Sequence, residues 1–330
     1  MIHTREWQTV RDFIQDRTRI AVTTHVNPDG DAIGSQMAMA HYLRQIGKEV
    51  VLLNCDRMPD YFSFLDPEGE IALFEEQAHD ALVAGLDGCI VVDISDWARL
   101  RGLGSALRRH NIPVACIDHH IPSDKMGEVH VCYQEASSTG EMIYDFLLDS
   151  GAELTLPIVD AIYTCVMTDT GSFRFSNTNA RTHRIAAELL ERGAHYRAIY
   201  EKVYENNSKQ RTLLMAKLLE RMHFTCDDRL AYFSLTQELL RQTGAQLWET
   251  EGFSELPRTI ARVEVSLMFT ETEAGNTKVS FRSKGRVAIN GMATLFGGGG
   301  HKYASGATLA MSLNQAVEAV VEEARKLFTD

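Results

Sequence analysis

The stretch RIAVTTHVNPDGDAIGS, residues 19–35, decides the fold of the first half of the chain. Its apolar start predicts a β-strand that ends near Thr23, and the Asn-Pro-Asp-Gly sequence predicts a turn before a helix from about Ala32. His25, Asp29 and Asp31 crowd this turn. Because two carboxylates repel each other unless a cation lies among them, the stretch indicates a metal site. A turn of Asp and Asn residues that caps a helix is the alternative.

Three later segments carry further metal-ligand side chains. IVVDIS places Asp93 at the end of a second apolar strand, PVACIDHH places Asp118, His119 and His120 at the end of a third, and CVMTDTGSF places Asp169 at the end of an apolar run. In an open α/β sheet, ligands bind outside the carboxyl ends of the strands. The four segments together therefore predict one metal-dependent centre.

The order of elements predicts the fold class. Apolar strands alternate with helical patterns from about residue 18 to 170, which indicates an α/β domain with a mainly parallel sheet flanked by helices. Residues 179–222 read as consecutive helices, and the remainder mixes strands such as RVEVSLMF with helices as a smaller α/β domain. We therefore expect a catalytic domain at 1–180, a helical connector at 181–222 and a second domain at 223–330.

Composition limits the partners. The 330 residues carry a net charge of −12 and no basic run, which argues against long single-stranded or duplex nucleic acid and favours a short substrate. No apolar stretch approaches the roughly 20 residues that span a membrane. The six cysteines show no CxxC spacing, so reduced core thiols in a cytoplasmic protein are expected.

Six motifs in a fixed order resemble the DHH/DHHA1 phosphoesterase family. They are HxNPDGDAIGS, VVDxSD, DHH, TDTGSF, FRSK and GGGGHKYASGA. DHH alone is a weak signal, whereas the ordered set extends over nearly the whole chain. Within the family, the chain is similar to the branch of oligoribonucleases (nanoRNases) and pAp phosphatases. The resemblance implies an N-terminal DHH catalytic domain and a C-terminal DHHA1 substrate-binding domain.

The ligand types suit Mn²⁺, with Mg²⁺ or Co²⁺ as alternatives, because they are oxygen and imidazole without thiolate. Six candidate ligands exceed the needs of one ion, and two ions about 3.5–4 Å apart are usual for phosphoester cleavage. The resemblance implies that His25, Asp29 and Asp93 hold one ion, and that Asp31, Asp93, His119 and Asp169 hold the other. Asp93 would bridge the ions, His120 would contact the scissile phosphate, and Asp118 would orient its neighbours.

A glycine run near the C-terminus predicts a phosphate site. Gly297 to Gly300 precede His301, and backbone N–H groups of such a run can form a concavity for an anion. Upstream, Arg282, Ser283 and Lys284 add charge and hydrogen-bond donors. The substrate-binding candidates are therefore Arg282, Ser283, Lys284, Gly298, Gly299, Gly300 and His301, of which the resemblance supports Arg282, Gly299, Gly300 and His301. Arg258 and the run Ser137-Ser138-Thr139 are further candidates.

The resemblance implies hydrolysis of 5′-phosphorylated oligoribonucleotides of two to four nucleotides, including pApA, to mononucleotides, and of pAp to AMP and phosphate. It also implies a homodimer. Two alternatives stay open at this point. One is a RecJ-like single-strand exonuclease, which the acidic charge disfavours. The other is a non-catalytic nucleotide-binding regulator, which has no need of so many metal ligands.

Overall fold

The computed structural model describes residues 4–122, 125–250 and 252–328. The chain divides into a first unit, Met1–Asn206, and a second unit, Asn207–Asp330. This boundary lies within residues 181–222, the segment for which a helical connector was predicted. Among the described residues, no helix has the length and apolar character needed to span a membrane.

The first unit contains one sheet of parallel strands, which confirms the predicted fold class. Its strands are β1 (Arg19–Thr23), β2 (Glu49–Asn54), β3 (Ala72–Leu73), β4 (Gly88–Val92), β5 (Val114–Asp118) and β6 (Val129–Cys132). Their order is β3-β2-β1-β4-β5-β6, so the sheet reverses its direction of growth between β1 and β4. A crevice for a ligand is expected at the carboxyl ends of those two strands.

Helices cover both faces of this sheet. They are α1 (Thr4–Gln15), α2 (Gly30–Gln45), α3 (Glu76–Ala84), α4 (Arg101–Arg109), α5 (Thr139–Asp149), α6 (Leu156–Asp169), α7 (Ala180–Glu191) and α8 (Tyr196–Tyr204). Because side chains alternate along a strand, Ile20 and Val22 of β1 join the core formed with α2, α5 and α6, whereas Ala21 joins the core formed with α3 and α4. Helices α2 and α4, which follow β1 and β4, therefore lie on opposite faces.

Glycines allow α2 and α6 to pack unusually closely. A Cβ atom on Gly30 would lie 2.6 Å from the Thr168 side chain, and one on Gly34 would lie 2.6 Å from the Ala161 carbonyl oxygen. Helix α2 begins at Gly30, two residues before the predicted start, because the Asp29 side chain caps it by accepting from the N–H groups of Asp31 and Ala32. This packing fixes the loop that carries Asp29 and Asp31.

Replacing Gly34 with alanine is expected to lower the free energy of unfolding of the first unit by about 1–3 kcal/mol, because the new methyl group must displace backbone. Urea denaturation followed by circular dichroism measures the change. The control is Gly102→Ala in α4, where the new Cβ would lie 3.4 Å from the Phe74 ring, an ordinary contact. That control should be neutral or stabilising, since alanine favours helix. Equal losses in both variants would contradict the packing argument.

The second unit is a smaller α/β structure, as predicted. Its strands are β7 (His223–Thr225), β8 (Leu230–Leu235), β9 (Val265–Glu271), β10 (Thr277–Ser283), β11 (Gly299–His301) and β12 (Ala304–Leu309). Its helices are α9 (Lys209–Glu220), α10 (Gln237–Thr243), α11 (Asn290–Leu295) and α12 (Leu313–Arg325). The strand order is β11-β12-β10-β9-β8-β7, with β8 and β9 parallel and the other neighbours antiparallel. One core lies between the sheet, α11 and α12, and another between the sheet, α9 and α10.

Candidate metal centre and substrate-binding strand

The carboxyl ends of β1 and β4 bring the first group of predicted ligands together. Ligand atoms of His25, Asp29 and Asp93 lie within 4.8 Å of one another. The His25 Nδ1 atom lies 2.7 Å from the Val26 carbonyl oxygen, to which it donates its proton, so Nε2 presents a lone pair. That lone pair lies 3.3 Å from Asp93 Oδ2, and both side chains are buried. A cation between these atoms would remove the repulsion.

His119 is oriented in the same way. Its Nδ1 atom donates to the Ala136 carbonyl oxygen at 3.2 Å, which leaves the Nε2 lone pair facing inward. Nε2 lies 3.6 Å from Asp169, 3.7 Å from Asp31 and 3.7 Å from Asp93. It is buried and has no hydrogen-bond partner among the described residues. A lone pair aimed at three carboxylates is the arrangement that a divalent metal ion requires.

The electrostatics of the carboxylates support the same conclusion. Burial, followed by the neighbouring charge of Asp31, raises the pKa of Asp93 well above its ordinary value. The same two causes raise the pKa of Asp169 to about 8. Burial and the positive charge of Arg99 lower the pKa of His25, which favours the neutral ring that binds metal. The donor set fits a divalent cation.

All six predicted ligands therefore lie in one cluster. Ligand atoms of Asp31, His119 and Asp169 form a second group, and those of Asp93, His119 and His120 form a third. Asp93 takes part in the first and third groups, which fits the bridging position proposed for it. Asp93 also adopts a left-handed backbone conformation (φ 63°), which is rare outside glycine and concentrates at functional sites.

Asp169 reaches the cluster from a helix. It is the last residue of α6, whereas the other ligand-bearing segments follow strands. Asn177 holds its carboxylate by donating from Nδ2 to Oδ2 at 3.1 Å. No sequence signal marks Asn177, because its role depends on the turn that brings residue 177 back to the end of α6.

The first turn of α5 also orients the carboxylates. The N–H groups of Thr139 and Gly140 donate to the two oxygens of Asp31 at 2.6 and 2.8 Å, and Thr139 Oγ1 donates to Asp93 Oδ1 at 2.9 Å. The Ser137-Ser138-Thr139 run is fully buried. Its hydroxyl groups therefore stabilise carboxylates and a helix terminus of the protein itself, and the expectation that they contact substrate is wrong.

His120 and Asp118 form a pair beside the cluster. His120 Nδ1 lies 2.8 Å from Asp118 Oδ1, and the His120 side chain is about half exposed (48%). The hydrogen bond to Asp118 raises the pKa of His120. Burial would raise the pKa of Asp118, but hydrogen bonds from His120 and Ser95 outweigh it, so this pKa is lowered. The pair thus combines a buried, ionised carboxylate with an exposed imidazole.

In the second unit, the predicted basic residues pair with groups of the protein. Arg282 Nε donates to Glu255 Oε1 at 2.6 Å, and Arg258 also forms an ion pair with Glu255. Lys284 Nζ donates to the carbonyl oxygens of Ile260 and Ala261. Ser283 is buried, and its hydroxyl accepts from the Gly285 N–H. Ser283 therefore stabilises the end of β10, and its side chain is not accessible to a ligand.

The glycine run is partly a strand. Gly299 and Gly300 belong to β11 and pair with Gly306 and Ser305 of β12, so these two positions form an edge strand, which pairs alternate N–H groups with its neighbour. Gly298 is needed for close approach, because a Cβ atom there would lie 2.1 Å from the Gly306 carbonyl oxygen. Gly299, Gly300 and His301 are exposed, so this strand forms an accessible edge.

A parallel sheet gathers carboxylates and imidazoles that could hold divalent metal ions at its switch point, and a separate mixed-sheet unit follows it. Together with the family matches, these features place the protein in the class of two-domain phosphoesterases. The DHH family, N-terminal domain, matches residues 19–169, and the DHHA1 domain matches residues 243–330. The chain therefore belongs to the DHH/DHHA1 family, and the resemblance drawn from the six motifs is confirmed.

Relatives of known name extend over almost the whole chain. A "Bifunctional oligoribonuclease and PAP phosphatase NrnA" from Thermus thermophilus is 32% identical over 94% of this chain and 90% of its own length. The protein of the same name from Bacillus subtilis is 27% identical over 88% and 89%. Among solved structures, an exopolyphosphatase-related protein from Bacteroides fragilis superimposes with a TM-score of 0.93 at 28% identity, covering 100% of this chain and 99% of that one.

Proposed function

We propose that the protein hydrolyses 5′-phosphorylated oligoribonucleotides of two to four nucleotides, including pApA, to mononucleotides, and pAp to AMP and phosphate. The observation that carries this proposal is the His119 Nε2 lone pair, which is buried among three carboxylates and lacks a partner among the described residues. The names of the Thermus and Bacillus relatives support the choice of substrates.

The first unit would hold two divalent ions. His25, Asp29 and Asp93 would hold one, and Asp31, Asp93, His119 and Asp169 the other. When bound, such ions polarise a phosphate and lower the pKa of water so that it attacks near neutral pH. The chain's own contribution is to fix the ligands, because the Thr139 and Gly140 N–H groups hold Asp31, and Asn177 holds Asp169.

His120 would contact the scissile phosphate. Asp118 accepts from its Nδ1 atom, so Nε2 is the ring nitrogen left to donate to a phosphate oxygen. The raised pKa of His120, caused by Asp118, favours the protonated ring that makes this donation. A charged donor at this position stabilises the negative charge of the transition state.

The second unit would bind the terminal phosphate. Arg282 would exchange Glu255 for the substrate phosphate, and Lys284, Gly298, Gly299, Gly300 and His301 would complete the site at the exposed edge formed by β11. A guanidinium group binds phosphate through two parallel hydrogen bonds. A few such contacts suit a short substrate and agree with the net charge of −12, which disfavours a long strand.

Mn²⁺ is the proposed metal, with Mg²⁺ or Co²⁺ as alternatives, because the ligands are carboxylate and imidazole. Cys165 lies beside Asp31, but burial raises the pKa of its thiol well above the ordinary value, so it offers no thiolate. A homodimer in the cytoplasm completes the proposal, and sedimentation velocity tests the dimer.

The test is product analysis on pAp, pApA, a 5-mer RNA, a 24-mer RNA, long single-stranded DNA and pyrophosphate. Each is incubated with Mn²⁺, Mg²⁺, Co²⁺ or EDTA. We expect AMP from pAp and mononucleotides from the shortest RNA with Mn²⁺, and no product with EDTA. Preferential cleavage of the long DNA would favour a single-strand exonuclease. Metal-dependent binding of pApA without turnover would favour a nucleotide-binding regulator.

Gly299→Ala is expected to raise KM for pAp about tenfold, equivalent to ~1.4 kcal/mol, because a methyl group would separate the phosphate from the backbone. A Cβ atom at Gly299 meets no atom of the protein within 4 Å, so the stability should not change. The comparison is Gly298→Ala, whose Cβ would collide with Gly306, and which should lower the melting temperature. Steady-state kinetics and thermal melting separate the two effects. An unchanged KM in Gly299→Ala would contradict a phosphate site on β11.

A further inference from the structure

Three strands of the first unit contribute to a chain of hydrogen bonds that ends on His120. Ser95 follows β4, Asp118 ends β5, and His130 lies in β6. His130 Nε2 lies 3.1 Å from Ser95 Oγ, and Ser95 Oγ lies 2.6 Å from Asp118 Oδ2. The other Asp118 oxygen lies 2.8 Å from His120 Nδ1. Neither Ser95 nor His130 belongs to a candidate metal group.

The direction of each hydrogen bond follows from its partners. The Met126 N–H donates to His130 Nδ1 at 3.3 Å, so the proton of the neutral ring is on Nε2. Nε2 then donates to Ser95 Oγ, and the Ser95 hydroxyl donates to the ionised Asp118. Asp118 accepts from His120 Nδ1, which places the remaining ring nitrogen, Nε2, toward a ligand. This series of hydrogen bonds thus keeps a proton on His120 Nδ1 and fixes the orientation of the ring.

The buried Asp118 carboxylate depends on hydrogen-bond donors of the protein for its stability. The Asp118 side chain is fully buried (0% exposed), and Ser95 is buried beside it. A buried carboxylate without hydrogen-bond donors is strongly destabilised. The Asp118 carboxylate accepts hydrogen bonds from the Ser95 hydroxyl and from two groups of His120, the backbone N–H at 3.1 Å and Nδ1. Ser95 is therefore the donor that orients the Asp118 carboxylate independently of His120.

We propose that Ser95 and His130 are positioning residues that fix Asp118, and through it the orientation of the His120 ring and the proton on its Nδ1 atom. The inference rests on the proposed contact between His120 and the scissile phosphate. It assigns a role to His130, which lies outside the DHH motif, and to the Ser95 hydroxyl within VVDIS. The two residues act in series, because the hydrogen bonds from His130 to Ser95 and from Ser95 to Asp118 connect them in that order.

The first test is steady-state kinetics with pAp and Mn²⁺. Ser95→Ala should lower kcat about tenfold, the effect of losing one hydrogen bond to a charged group, with KM and the Mn²⁺ dissociation constant unchanged. His130→Leu should lower kcat by a similar or smaller factor. His130→Gln should restore activity, because its side-chain amide can accept from Met126 and donate to Ser95. The double variant should be no worse than Ser95→Ala, since the residues act in series.

Three results would overturn the proposal. In the first, the losses of kcat in the two single variants multiply in the double variant. In the second, the Mn²⁺ affinity falls by the same factor as kcat. In the third, His130→Gln is as impaired as His130→Leu although both variants melt at the same temperature. A second readout does not need turnover: ¹⁵N imidazole shifts of His120 in the metal-free protein should report an Nδ1–H hydrogen-bonded to Asp118 in the wild type and the weakening of this hydrogen bond in Ser95→Ala. An inactive wild type would refute the proposed function, whereas unchanged His120 imidazole shifts in Ser95→Ala would refute the positioning role alone.

Discussion

Replacing Asp93 with asparagine is expected to lower kcat with pAp about 1000-fold, or ~4 kcal/mol of transition-state stabilisation, because both proposed ions lose a shared ligand. The metal-free protein should remain folded. Burial and the nearby Asp31 raise the pKa of Asp93, which means that folding disfavours its charge. A neutral side chain of the same shape removes this penalty, so the stability of the metal-free protein near neutral pH should not fall.

Thermal melting with and without Mn²⁺ completes this test. Mn²⁺ should raise the melting temperature of the wild type and should raise that of Asp93→Asn much less, because binding to the native state is what stabilises it. Asp96→Asn is the matched control. Asp96 lies three residues later and accepts from the Ala98 N–H at 2.8 Å, which asparagine can also do. Full activity in Asp93→Asn, or equal loss in both variants, would remove Asp93 from the centre.

Arg282→Ala is expected to raise KM for pApA about 10- to 100-fold with little change in kcat, because a charge-assisted hydrogen-bond pair worth about 1.5–3 kcal/mol is lost. The effect should be confined to substrates with a terminal phosphate. KM for ApA, which lacks the 5′-phosphate, should therefore be the same in variant and wild type. Glu255 keeps Arg258 as a partner, so the stability should change little.

Arg241→Ala is the control for this experiment. Arg241 is an exposed arginine of α10 in the same unit, and it pairs with Glu238. Arg241→Ala removes the same charge as Arg282→Ala but should leave the KM for pApA unchanged. If Arg282→Ala raised KM for ApA and pApA alike, Arg282 would not recognise the terminal phosphate.

Local pattern was sufficient to predict the fold and the grouping of the ligands. Residues such as Asp93 directly follow apolar strands, and parallel strands bring their carboxyl ends to one edge. The residues that orient the ligands could not be predicted in this way. Thr139 and Gly140 bind Asp31 across 108 and 109 positions of sequence, and Asn177 depends on a turn after α6. Such contacts depend on tertiary packing, which periodicity does not report.

The C-terminal motif shows a second limit of the sequence. Gly299 and Gly300 suggest a loop when they are considered alone, but the hairpin with β12 makes them a strand. Ser283 and Lys284 are adjacent in the motif, yet Ser283 faces the core and Lys284 reaches carbonyl oxygens of residues 260 and 261. Ser283 is the last residue of β10 and lies on its buried face, whereas Lys284 lies just beyond the strand.

The separate cores of the two units have a consequence for cooperativity. Within the described residues, each hydrophobic cluster is drawn from one unit alone, with two clusters on either side of the boundary at Asn206. Each unit thus has hydrophobic cores of its own, so the whole chain need not unfold in one all-or-none transition. The free energy of unfolding therefore has to be considered for each unit separately. Damage to the hairpin of β11 and β12 is therefore expected to unfold the second unit while the first unit stays native.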